Sequence, residues 1–393
     1  MMSFLLAIIY IAFISLGLPD ALLGSAWPSM HGALNVPVSY AGIVSMIISA
    51  GTIISSLFSD KMNSKLGTGK VTAVSVGLTA VSLLGFSVSK SFLMLCVIAF
   101  PYGLGAGAVD AALNNYVALH YKARHMSWLH CFWGVGATIG PYIMGACLTG
   151  GFKWNSGYQI IGILQVALTV ILIISLPLWR RSNEAAQEGA AQNKMGMGKL
   201  LRLPGVKEVL TAFFCYCAVE QTAGLWGASY MVMERGLSPQ SAAKWASLFY
   251  LGITIGRFIC GFISMKMSDK AMIRLGQGMI IAGILLLIFP LGNLIMCIGL
   301  VVVGLGCAPI YPSIIHETPT NFGAGLSQAL IGMQMAFAYV GTTVMPPLFG
   351  ALAGKMGIWL YPFYLLIITL LMIWMVEKLN KVPKAESEDI RGR

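Results

Sequence analysis

The sequence predicts an all-α membrane protein: twelve transmembrane helices in two pseudo-symmetric six-helix bundles. Three observations carry this reading. Charge is scarce, with 10% of the 393 residues charged, 57% hydrophobic and a mean hydropathy of +0.80. Soluble domains carry about 25% charged residues, so this chain cannot coat a water-soluble body of its size, and its apolar content excludes disorder. Length is the second observation. A membrane helix takes roughly 20 apolar residues, and about 33 residues per helix and connection divide the chain into about twelve spans, with no room for a soluble domain. The third is that basic residues alternate from loop to loop.

Apolar runs broken by charged or Gly/Pro-rich turns place the span cores at 4–29, 38–58, 71–88, 92–118, 128–148, 157–179, 208–232, 241–263, 273–289, 293–315, 323–350 and 358–377. The first run has no basic region ahead of it and carries Asp20, so it reads as a membrane helix and not as a cleaved signal. The ninth and tenth runs are separated only by Phe289-Pro290-Leu291-Gly292-Asn293.

The excess of base, +11 net with pI near 9.3, could indicate nucleic acid in a soluble protein. Here it follows the loops. Lys61, Lys65, Lys70, Lys122 and Arg124 fall on one side, with the run Arg180 to Lys207, with Lys266, Lys270 and Arg274, and with the C-terminal Lys378 to Arg393. The other side holds Lys90, Lys153, Arg235 and Lys355. By the positive-inside rule both termini and the central loop are cytoplasmic, as an even number of spans requires. The expected division is therefore a bundle at 1–180, a cytoplasmic linker at 181–206 with a short interfacial helix allowed for, a second bundle at 207–380 and a cytoplasmic tail at 381–393. The 8 cysteines lie in apolar runs, and Cys215-x-Cys217 has no companion Cys/His cluster, so no metal is expected.

The halves resemble each other. Asp20 precedes Gly24 by four with Trp27 after it, and Glu220 precedes Gly224 by four with Trp226 after it. Gly103-Leu104-Gly105 in the fourth span recurs as Gly304-Leu305-Gly306 in the tenth, which sets Tyr311 opposite Asp110. Gly51 and Ser56 of the second span answer Gly256 and Gly261 of the eighth. Two parallel repeats imply bundles that rock about a midplane site. The runs Gly103–Gly107 and Gly134–Gly140 thin one helix face for close packing and lie inside apolar spans, so neither is a phosphate loop.

Chemistry is expected where charge sits deep in the spans. A mid-helix carboxylate costs about 2.5–3.5 kcal/mol to insert, so an intramembrane acid is a functional hypothesis by default. Asp20, Asp110 and Glu220 are the three, proposed to couple protons. The alternative for each is a structural hydrogen bond or ion pair; for Asp110 the partner would be Asn114 or Arg257. Arg257, near the inner end of the eighth span, is expected to snorkel and to serve structure or gating. His130 is a proton relay or an interface histidine, and His316-Glu317 should lie solvated in a cytoplasmic turn. Amides beside aromatics suit a neutral polyhydroxylated ligand: Trp27, Asn114, Asn115, Gln221, Trp226, Tyr230, Tyr311, Gln328 and Gln334. No midplane Lys/Arg pair favours an anionic substrate. No metal spacing, nucleophile set or nucleotide loop supports an enzyme, and single acids in two unequal halves suit alternating access over a symmetric channel.

These residues resemble the major facilitator superfamily over essentially the whole length, and within it the fucose/glucose:proton symporter group. The match rests on Leu18-Pro19-Asp20-Ala21-Leu22-Leu23, Gly105 to Asn115, Val219-Glu220 with Trp226, Gly252 to Gly261 with Arg257, and Gly304 to Pro312. The resemblance implies that the acids of helices 1 and 4, here Asp20 and Asp110, serve protonation and sugar binding. The family's helix 4 acid is often Glu, so Asp110 is a departure. Ser59 to Lys65 looks like a degenerate signature loop that keeps Asp60 but has lysines, Lys61 first, where the family has arginines. The expectation is a monomeric, proton-driven importer of a neutral monosaccharide in a cell inner membrane, with no cofactor and no nucleic-acid partner. The rival is a proton antiporter exporting drugs or metabolites.

Overall fold

A computed structural model describes residues 2–20, 22–37, 40–187, 195–237, 239–289 and 292–383. Most of the expected tail and the middle of the linker lie outside the described residues, as do Ala21 and the Pro290-Leu291 turn. Among the described residues the chain is helical, without strands. The helices are α1 (Met2–Gly17), α2 (Leu22–Ala33), α3 (Ala41–Leu57), α4 (Ser59–Leu66), α5 (Thr68–Ser87), α6 (Phe92–His120), α7 (Ala123–Thr149) and α8 (Trp154–Gln187). After the linker come α9 (Met197–Leu200), α10 (Val206–Met233), α11 (Pro239–Ile263), α12 (Asp269–Ile288), α13 (Asn293–Phe322), α14 (Ala324–Met356) and α15 (Tyr361–Asn380).

Every expected span has its helix. Ten are long and apolar enough to cross a membrane, and the pair α3 and α4, bent by 56°, makes an eleventh. α10, at 28 residues, exceeds the roughly 20 that a bilayer needs but is not among these apolar spans. Prolines 101, 141, 177, 309, 312, 319, 346 and 347 sit inside helices, which membrane bundles tolerate because neighbours re-satisfy the freed carbonyls. Gly323, at φ 86°, ends α13 in a conformation that a Cβ would strain, so α14 can begin at once.

The first span, Phe4–Trp27, is one candidate membrane span, with α1 ending at Gly17, turns at residues 18–20 and α2 beginning at Leu22. Pro19 has no N–H to continue the ladder. The chain instead makes tight turns, with Asp20 N–H donating to Gly17 O at 3.2 Å and Leu22 N–H to Pro19 O at 3.1 Å. Asp20 therefore lies in a turn within the first span.

The chain forms two compact units, residues 1–116 with 129–192, and 117–128 with 193–393. The connection 117–128 groups with the second unit, where the expected boundary put it in the first. Three contacts hold it there. Trp128 Nε1 donates to Phe258 O at 3.3 Å, Arg124 Nη1 reaches Met265 Sδ at 3.6 Å, and His316 Nε2 lies 3.2 Å from Tyr121 O.

Internal packing repeats between the units. In the first, a Cβ on Gly103 would strike Ile48 O of α3, and one on Gly105 would come within 2.7 Å of Ser75 O on α5. In the second, Gly304 sits against Phe249 O of α11 and Gly306 against Gly276 O and Ile280 N of α12. The register corrects one expected pair. Gly51 meets Phe100 O, and the residue that meets the equivalent Val301 O is Gly252, not Gly256. Small residues let these backbones touch, which is how membrane helices gain contact without a hydrophobic drive.

The same device fixes the break at Asp20. A Cβ on Gly136 of α7 would collide with Ile14 O, one on Gly140 with Leu18 O, and one on Gly17 with Trp133 O. Backbone atoms on both sides cannot move aside cheaply. Gly136→Ala or Gly140→Ala is expected to cost about 1–3 kcal/mol or more and to lower the thermal unfolding midpoint in detergent. Gly145→Ala, on the same helix with nothing within 4 Å of its Cβ, is the neutral control.

Candidate functional site

Each intramembrane acid sits in its own polar cluster. In the first unit, Trp133 Nε1 of α7 donates to Asp20 Oδ2 at 2.7 Å. Asp20 is exposed, and its donor is a neutral indole. Such a hydrogen bond orients a carboxylate without cancelling its charge.

Asp110 is different. It is 6% exposed and accepts from Asn114 Nδ2 at 2.8 Å. The same amide nitrogen lies 3.0 Å from the Asp110 backbone oxygen. On its other side Asn114 Oδ1 is 3.0 Å from His130 Nε2, and the His130 ring meets Phe13 edge-on at 5.5 Å. Asp110, Asn114 and His130 thus form a buried chain from α6 to α7. Asn114, one of the two partners expected for Asp110, does bond it.

In the second unit Glu220 Oε1 lies 3.3 Å from Arg257 Nη2, with side-chain exposures of 17% and 4%. Arg257 also reaches Tyr216 Oη at 3.4 Å. The snorkelling expectation for Arg257 is corrected: the guanidinium is buried against an acid one unit-helix away. Glu220 and Asp20 hold equivalent places in the two halves, yet one faces a cation and the other a neutral donor.

Several ligand candidates prove to be packing residues. Trp27 is 4% exposed in a core cluster with Leu22, Met30 and Tyr158. Tyr230, 2% exposed, donates to Leu287 O at 3.1 Å and accepts from Arg235. Gln334 is fully buried and exchanges hydrogen bonds with Thr318 at 3.0 and 3.2 Å. Trp226 gives its N–H to Pro346 O at 2.9 Å. Buried polar groups must be satisfied, and those of Tyr230, Gln334 and Trp226 are satisfied within their own unit. Asn115 is 7% exposed, and Asn114 is wholly committed to the Asp110 cluster. Gln221 is exposed, Gln328 half-buried, and Tyr311 half-buried between Phe213 and Tyr216 at 4.7 and 6.0 Å.

The signature-loop residues stand apart from the acids. Asp60 occupies the first turn of α4, where the helix dipole favours an anion, and Lys61 Nζ sits 5.2 Å over the Phe58 ring. His316 and Glu317 are not in a solvated turn, because α13 continues through both. His316 Nδ1 pairs with Asp269 Oδ2 at 2.7 Å and Glu317 is 6% exposed.

Two residues that the sequence reading passed over belong to these clusters. Trp133 is three residues after His130, one turn on the same helix face, and Tyr216 is four before Glu220. Both spacings were available as side-chain neighbours. Among the described residues no group of His, Cys, Asp and Glu could hold a metal ion.

Ten candidate membrane spans, or eleven with the bent pair, among the described residues and two units with matched internal packing mark a multi-pass membrane protein, and the family it matches makes it a transporter and not an enzyme. The chain belongs to the Major Facilitator Superfamily, whose pattern matches residues 9–315 and 209–392. It is 22% identical over 392 residues to the bypass of stop codon protein 6 of Saccharomyces cerevisiae, covering 90% of this chain and 77% of that one. It is 22% identical over 312 residues to the glucose/mannose transporter GlcP of Bacillus subtilis, covering 77% of each. Among solved structures, the E. coli fucose:proton symporter FucP superposes with a TM-score of 0.75 at 15% identity, over 96% of this chain and 98% of that one.

Proposed function

We propose that the protein is a proton-coupled importer of a small neutral solute, a monosaccharide, working by alternating access in a cell inner membrane. Both termini are cytoplasmic in this reading, the functional unit is the monomer, and the proton gradient is the only driving force, without a cofactor. Asp20 carries the proposal. A carboxylate in a helix break, exposed and held by an indole, can exchange a proton without breaking an ion pair. Asp110 and Glu220 are the further coupling acids, one buried with an amide and one balanced by Arg257. Gln221, Gln328 and Tyr311, none of them buried, are the polar and aromatic groups assigned to a hydroxylated ligand. The likeness to GlcP, a glucose/mannose transporter, and to FucP, a fucose:proton symporter, supports a sugar.

The test is a panel of labelled sugars offered to proteoliposomes under an imposed inward proton gradient. Uptake of one sugar that collapses with a protonophore is the expected result. Absence of sugar uptake together with dye extrusion would replace symport by antiport export.

A further inference from the structure

Pro19 deprives a carbonyl of its helical donor, and a side chain from a distant helix supplies one. In an α-helix each N–H donates to the oxygen four residues back. Leu18 N–H does so, reaching Ile14 O at 3.0 Å. The next donor would be Pro19, whose nitrogen carries no hydrogen, so Ser15 O loses its ladder partner. Gln165 of α8 takes that place. Its Nε2 donates to Ser15 O at 2.5 Å, and its Oε1 accepts from Ser15 Oγ at 2.7 Å. A carbonyl oxygen only accepts, so turning the amide over would set oxygen against oxygen, and the side chain is held one way round. Gln165 is 2% and Ser15 6% exposed, inside a span where an unpaired carbonyl finds no water. The turn that follows this clasp is the one that carries Asp20, whose N–H donates to Gly17 O at 3.2 Å.

We propose that Gln165 is a positioning residue for the coupling carboxylate of Asp20: by clasping Ser15 it fixes the turn that presents Asp20 to Trp133. This rests on the proton-coupled reading above and deepens it. Two helices brace the turn in different ways. α7 meets it with backbone, Gly136 against Ile14 O and Gly140 against Leu18 O, which limits how closely the two can approach. Such contact has no preferred direction, whereas the hydrogen bonds from α8 do and therefore set rotation. On the α8 side there is room to move, because a small cavity is lined by Ser15, Pro19, Thr79, Tyr102 and Gln165. Without the amide, Ser15 O is left without its donor and the turn can rotate toward that space. Asp20 Oδ2 would then leave its 2.7 Å contact with Trp133 Nε1.

The experiment is NMR of the indole N–H groups of the full chain in lipid nanodiscs. The Trp133 signal is assigned by its loss in Trp133→Phe, and its position without the carboxylate is set by Asp20→Ala. In Gln165→Leu the Trp133 signal should move most of the way to the Asp20→Ala position. Gln165→Asn, an amide one methylene too short, should move it in the same direction and carries the test if the leucine variant does not fold. Gly162→Ala is the structural control: on the same helix, its Cβ would come within 2.8 Å of Leu84 Cδ2, so it should lower the thermal unfolding midpoint and leave the Trp133 signal in place. Pro19→Ala supplies the missing N–H, so adding Gln165→Leu to it should move the signal little beyond Pro19→Ala alone. An unmoved signal in the Gln165 variants, an equal shift in Gly162→Ala, or an undiminished shift in the Pro19→Ala background overturns the proposal. Where Asp20→Asn lowers solute accumulation in proteoliposomes, Gln165→Leu should lower it too, and an unchanged ratio there also overturns it. The indole signals need no transported solute, so their failure leaves proton-driven uptake standing, and a failed uptake assay leaves them interpretable.

Discussion

In proteoliposomes, Asp20→Asn is expected to reduce the steady-state accumulation ratio to one while exchange of internal for external solute continues. The argument is electrostatic and geometric. Moving one proton inward yields about 2.3 kcal/mol per 100 mV. At about 1.4 kcal/mol per tenfold, a single coupled proton supports about fifty-fold accumulation per 100 mV, and that factor is what the variant should lose. Asparagine keeps an oxygen to accept from Trp133 Nε1, which now stands at 2.7 Å from Asp20 Oδ2. The break between Gly17 and Leu22 is held by backbone packing on α7, not by the carboxylate. Folding and solute entry should therefore survive. An accumulation ratio equal to that of the unaltered protein would remove Asp20 from coupling.

The second large effect concerns the Glu220 and Arg257 pair, and it is asymmetric. Removing one partner of a buried ion pair costs about 3–5 kcal/mol, because the other charge is left in a medium that solvates it poorly. Which partner is removed matters here. Arg257 is 4% exposed and Glu220 17%, so a lone Arg257 charge is solvated less well than a lone Glu220 charge. Glu220→Ala should therefore show the full loss, and Arg257→Leu about half of it or less. The double variant Glu220→Gln with Arg257→Met should regain much of the stability, since it leaves no charge without a counterpart. Thermal unfolding in detergent reads all three. Equal losses in the two single variants would mean that the pair is solvated and not a low-dielectric contact.

The particular helices show why some features were readable in advance. The span cores needed only runs of apolar residues, and each found its helix from α1 to α15. The glycines of 103–107 and 134–140 announced close backbone approach, and α6 and α7 use them for it. Burial of polar candidates was not readable. Trp27, Tyr230 and Gln334 have the composition of a sugar site, but nothing in their local sequence reveals that a neighbouring helix supplies Tyr158, Leu287 O or Thr318. The break at Asp20 was signalled by Pro19 yet concealed by the unbroken hydropathy from Phe4 to Trp27. Hydropathy measures transfer from water and is blind to backbone direction.

Sequence alone determined that this chain lives in a bilayer, that it crosses about twelve times, that its halves repeat, and that three acids lie where charge is costly. Those properties follow from transfer free energy, which is additive along the chain. Only the tertiary structure decided what each acid faces: an indole for Asp20, an amide and through it a histidine for Asp110, a guanidinium for Glu220. Partners across helices are set by packing and register between segments distant in the chain, and no local pattern encodes that geometry.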